Sequence, residues 1–99
     1  MTSEKFGLRK EITDALINIG IDCKIQKIIL FGSRARGDYK RTSDIDIAVY
    51  GIDTERFAIE IEDKAPTLLE FDVVDMTKPV QADLKTSIEK EGVVIYEKV

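Results

Sequence analysis

Gln26-Lys27-Ile28-Ile29-Leu30-Phe31-Gly32-Ser33-Arg34-Ala35-Arg36-Gly37-Asp38-Tyr39-Lys40-Arg41-Thr42-Ser43-Asp44-Ile45-Asp46-Ile47-Ala48-Val49-Tyr50 is the stretch from which the rest of the chain can be placed. Residues 26–31 are a short apolar run that ends in Gly-Ser, the pattern of a buried strand entering a tight turn. Residues 34–43 are polar, with Gly37-Asp38 as a turn signal, and a short helix after Ser33 fits them. Residues 44–50 alternate strictly and read as a second strand, ended by Gly51.

On the N-terminal side, residues 4–18 read as an amphipathic helix. Phe6, Arg9, Ile12, Leu16 and Ile19 approximate one stripe, Thr2 or Ser3 could cap it, and Gly20 sits where a stop belongs. On the C-terminal side, residues 53–64 form a helix with Phe57 and Ile61 inward, and Pro66 marks its end. Residues 68–75 follow as a third strand. Pro79 fits the first turn of a helix reaching about residue 91, with Val80, Leu84 and Ile88 at helical spacing and Gly92 as terminator. Residues 93–96 make a last short strand. The order α-β-(α)-β-α-β-α-β describes one α/β domain over residues 1–99, a small mixed sheet flanked by helices.

Three features carry chemistry. Gly32-Ser33 lies between a buried strand and a helix start, where free backbone N–H groups and the helix dipole favour a phosphate. Asp44 and Asp46 share one face of a strand, because side chains alternate with period two. Two like charges on one face repel unless something positive sits between them, and hard oxygen ligands suit Mg²⁺ or Mn²⁺. Asp72 interrupts an otherwise apolar strand, and joins the same cluster if its strand neighbours that of Asp44 and Asp46. Glu70 and Asp75 are the competitors: one nearer the strand start, the other of opposite parity.

Composition narrows the classes. The chain has no histidine, so any acid–base or metal chemistry rests on carboxylates. Cys23 is the one cysteine, which suits a free thiol in a reducing cytoplasm and leaves no zinc cluster. The N-terminal residues lack the basic and apolar regions of a signal peptide, and no run is long enough for a membrane span. The net charge of −4 divides into +4 over residues 1–43 (nine basic, five acidic) and −8 over residues 44–99 (six basic, fourteen acidic). Such acidity argues against stable nucleic-acid binding, whereas a basic cluster beside an acidic one suits a polyphosphate carried with metal ions.

Gly32-Ser33, ten residues, then Asp44-Ile45-Asp46 resembles the signature of the DNA polymerase beta-like nucleotidyltransferases. The Gly-Ser-Arg-Ala-Arg-Gly run and the short length are similar to the minimal nucleotidyltransferases, among them the MntA-type antitoxins encoded beside HEPN-domain toxins. The resemblance implies a nucleotidyltransferase that moves a nucleoside monophosphate, AMP from ATP, onto an acceptor hydroxyl with two Mg²⁺ ions, Mn²⁺ being a substitute. It implies that Asp44, Asp46 and Asp72 are catalytic and hold metal, and that Gly32, Ser33, Arg34 and Arg36 bind the nucleotide. The chain is too short for the second helical domain of larger family members, so the acceptor must come from a dimer mate or a separate protein. By family analogy that partner is a HEPN toxin. Two other readings remain: a non-catalytic nucleotide-binding antitoxin that blocks its partner by contact, and a transferase acting on a small molecule of the aminoglycoside type.

Overall fold

The computed structural model describes residues 6–99. Its elements are α1 (Lys10–Asp22), β1 (Ile25–Phe31), α2 (Ser33–Arg36), β2 (Ile45–Gly51), α3 (Thr54–Lys64), β3 (Phe71–Asp75), α4 (Ala82–Glu91) and β4 (Val93–Glu97). The expected order is reproduced, and the strands form one mixed sheet in the order β3-β2-β1-β4. β1 pairs antiparallel with β2 and with β4, while β2 and β3 run parallel.

Alternation along the strands sends side chains to two unequal faces. Ile28 and Leu30 of β1, with Ile45, Ile47 and Val49 of β2, pack against Ile12, Leu16 and Ile19 of α1 and Phe57 and Ile61 of α3. On the other face, Ile29, Phe31 and Ala48 meet Ile88 of α4. This second face is covered by a single helix, and Asp46 and Asp72 lie on it, in step with Ala48 and Val74.

Four expected boundaries shift. α1 begins at Lys10 rather than residue 4, because Phe6 and Gly7 adopt left-handed φ values of 59° and 69°. The proposed caps Thr2 and Ser3 lie outside the described residues. Gly20 is not the stop: it is buried inside α1, where a Cβ would press on Ile28 Cδ1 at 2.9 Å, so it permits close packing of helix on strand. The helix ends at Asp22, and Lys24 turns the chain with φ 59°. The C-terminal helix starts at Ala82, so Pro79 precedes it instead of opening it. The third strand is shorter than expected and begins at Phe71. Pro66 acts as expected, with Ala65 before it extended at ψ 135°.

Candidate active site

The turn after β1 is built by one glycine. Register pairs Phe31 with Asp46, which sets the end of β1 beside the start of β2. Gly32 then takes φ 76° and ψ −155°, a region that side chains resist. A Cβ there would overlap the Asp46 carboxylate oxygen Oδ2, so the glycine lets backbone and carboxylate touch. Ser33 opens α2, whose first internal bond runs from the Arg36 N–H to the Gly32 carbonyl at 3.0 Å. The three N–H groups before it have no carbonyl within the helix to reach. Gly37, left-handed at φ 93°, closes α2 by donating to the Ser33 carbonyl at 2.9 Å.

The parallel ladder pairs Asp46 directly with Asp72, on the same face of the sheet. The condition on which Asp72 joins the cluster is met. Burial raises the Asp46 carboxyl above its ordinary value, the charge of Asp72 raises it further and that of Asp44 adds to both; Arg36 and Arg34 oppose the rise only in part. Asp44 and Asp72 are exposed. As they stand, no three carboxylates among the described residues are drawn into a closed metal-binding group.

Of the two competitors, Asp75 has its carboxylate engaged elsewhere. Asp75 accepts hydrogen bonds from Thr54 Oγ1 at 2.6 Å and from the Thr77 N–H at 2.9 Å, which ties the end of β3 to the start of α3. Burial pushes its carboxyl up, but those bonds and Lys78 outweigh burial and hold it below the usual value. Glu70 is exposed, and its carbonyl accepts the Ile45 N–H at 2.9 Å.

The two arginines part company. Arg34 is 1% exposed, and its guanidinium is enclosed by backbone carbonyls. It donates to the Ser43 carbonyl at 2.8 and 3.2 Å, Arg41 at 3.3 Å, Phe6 at 3.1 Å and Gly7 at 3.4 Å, and it lies over the Tyr39 ring at 5.0 Å. Arg34 is expected at the phosphate, and here its donor contacts all go to main-chain oxygens. Arg36 points outward, bonded to Asp38 at 3.3 Å and to Glu91 of α4 at 3.4 Å, within electrostatic reach of Asp46. Sequence reasoning missed Glu91 and Tyr39. Glu91 is 55 residues from its partner, and no local spacing announces it.

The profile of the family described as "Polymerase beta, Nucleotidyltransferase" matches residues 10–99. The chain belongs to this family. It is a nucleotidyltransferase. A relative from Methanocaldococcus jannaschii, provisionally named a protein adenylyltransferase, is 37% identical over 82 residues, covering 74% of this chain and 80% of its own. Among solved structures, a toxin–antitoxin crystallised with AMP-PNP superposes with a TM-score of 0.70 at 26% identity, covering 87% of this chain and 73% of that one. A mutant of the MntA–HpeT toxin–antitoxin superposes with a TM-score of 0.68 at 27% identity, with the same coverage of 87% and 73%.

In this nucleotidyltransferase the donor set fits a hard divalent cation. Asp46 and Asp72 share one face with Asp44 just before the strand, burial and both neighbours raise the Asp46 carboxyl, and no histidine or second cysteine offers softer ligands.

Proposed function

We propose that the protein is an adenylyltransferase that moves AMP from ATP onto a hydroxyl of a partner protein, and that the partner is a HEPN-domain toxin which it restrains as a cytoplasmic antitoxin. The pairing of Asp46 with Asp72, against Gly32, is the observation that carries the catalytic part. It sets a paired-carboxylate face beside a turn with free N–H groups, as transfer of a phosphoryl centre requires. The likeness to a relative named for protein adenylylation and to toxin–antitoxin structures supports the acceptor class.

Gly32, Ser33 and the first N–H groups of α2 would hold the triphosphate, with Arg36 released from its carboxylates to reach it. Asp44, Asp46 and Asp72 would hold two Mg²⁺ ions, which when bound supply charge neutralisation for the phosphates and activation of the attacking hydroxyl. The acceptor oxygen bonds to the α-phosphorus, the bond from that phosphorus to the bridging oxygen breaks, and pyrophosphate departs. Asp72, exposed at the sheet edge, receives the hydroxyl proton. An open groove beside Asp44, walled by Thr42 and by Pro66 to Glu70, gives an acceptor segment a way in.

Label transfer tests this reading. The protein is mixed with Mg²⁺ and ATP labelled at the α-phosphate, with the product of the neighbouring gene or a host lysate. A labelled protein band that disappears with Asp44→Asn supports adenylylation. Metal-dependent ATP binding without any labelled band would instead make this an antitoxin that acts by contact.

A further inference from the structure

We infer that Arg34 is a positioning residue, a clamp that fixes the distance between the Gly32-Ser33 turn and Asp44 without touching either substrate or metal. The inference deepens the proposed function and rests on it for the roles of Ser33 and Asp44. It stands on geometry alone for the clamp itself.

Arg34 follows Ser33 directly, so its backbone moves with the turn. Its guanidinium reaches nine residues ahead and bonds the Ser43 carbonyl twice, at 2.8 and 3.2 Å. Ser43 precedes Asp44. The segment between them has little of its own to hold it: Lys40 to Ser43 bonds are local, and Asp38, Lys40, Arg41 and Thr42 are exposed. A loop of this kind drifts unless it is anchored from within. Arg34 supplies the anchor, with a third donor contact to the Arg41 carbonyl and the Tyr39 ring stacked below it. The same fork binds the Phe6 and Gly7 carbonyls, so the segment leading into α1 closes the clamp from outside.

The donor geometry is what matters. Three contacts from one planar group, to the Ser43 and Arg41 carbonyls, set the place and tilt of the loop, and two more tie the same group to Phe6 and Gly7. A lysine at this position keeps the charge and three donors, but they share one nitrogen and cannot reproduce the planar spread of the guanidinium fork. Gly7 fits the same account: a Cβ on it would collide with the Tyr39 ring and press on Arg34 Nη1 at 2.8 Å. The short length of α2 makes the clamp necessary, because one helical turn cannot by itself orient the loop that leaves it.

The experiment compares wild type, Arg34→Lys and, as a control of similar stability loss, Ile61→Val. Backbone amide exchange over residues 40–44 is measured without nucleotide, and affinity for Mg²⁺–ATP is read from the ligand-dependent rise in melting temperature. Arg34→Lys should exchange faster over residues 40–44 and bind Mg²⁺–ATP about 10- to 100-fold more weakly, the usual cost of losing a group that orients a metal ligand. Ile61→Val should change neither. If Arg34→Lys does not fold, Tyr39→Leu removes the surface under the guanidinium and should give the same two effects, smaller. Unchanged exchange over residues 40–44 in a folded variant overturns the clamp, as does wild-type affinity for Mg²⁺–ATP. If wild type itself ignores Mg²⁺–ATP, the proposed function fails, and the exchange arm still decides whether Arg34 holds the loop.

Discussion

Replacing Asp46 with Asn should make the metal-free protein more stable while removing its response to metal and nucleotide. Asp46 and Asp72 are direct partners on parallel strands. Neighbouring strands lie about 4.8 Å apart. At about 5 Å, two unit charges repel by roughly 3 kcal/mol with an effective dielectric of about 20. Asp72 is exposed and Asp46 half-buried, so solvent screening reduces this to about 1 kcal/mol. Among the described residues Asp46 makes no hydrogen bond that Asn would lose, and the two side chains are nearly isosteric.

The direction with pH follows from linkage. Asp46 titrates higher in the folded protein than in the unfolded chain. The folded state therefore binds more protons between those two values, and stability falls as pH rises through that window. Below the ordinary carboxylate value both states are protonated and the penalty vanishes. In chelator at about pH 8, Asp46→Asn should melt about 4–8 °C above wild type, the shift that about 1 kcal/mol produces in a domain of this size. The gap should close as the solution is acidified toward about pH 3. Saturating Mg²⁺–ATP should reverse the order, because a ligand at 100 times its dissociation constant adds about 2.7 kcal/mol to wild type alone. Differential scanning calorimetry in the three conditions reads all of this. An Asn variant less stable than wild type in chelator at high pH would refute the repulsion, and an equal response to Mg²⁺–ATP would remove Asp46 from the site.

Other substitutions isolate other links. Gly32→Ala should cost about 1–3 kcal/mol for the strained backbone, and should abolish the melting response to Mg²⁺–ATP because its methyl group displaces the Asp46 carboxylate. Glu91→Gln frees Arg36 from α4 and should lower KM for ATP about two- to fivefold with kcat unchanged, the scale of a half-exposed ion pair; an unchanged KM would mean that Arg36 is not recruited by phosphate. Thr54→Val removes a hydrogen bond to Asp75 and should destabilise by roughly 1–2 kcal/mol at neutral pH. Because Asp75 titrates below its unfolded value, that loss should fade as pH falls through its lowered range, which denaturant titrations at neutral and acidic pH would show.

How far the sequence could be read depended on whether the deciding force was local. β1 and β2 were legible because alternation and an apolar run are local patterns, and both strands start within a residue of expectation. The start of α1 was not, since a periodic stripe continues through Phe6 while the backbone at Phe6 and Gly7 turns left-handed. Asp72 was legible through its cost: a carboxylate in an apolar strand needs a reason, and the ladder to Asp46 supplies one. Arg34 and Arg36 show where such reading stops. Side by side in a polar run they look equivalent, and both suit phosphate. On one turn of helix, however, residues two apart point about 200° away from each other. One arginine therefore turns inward and the other outward, and composition could not say which. The structure sends Arg34 in, where a buried guanidinium persists only if carbonyls surround it, and five contacts to four carbonyls do. The charge beside Asp46 that remains free to move is therefore Arg36, held for now by Asp38 and Glu91.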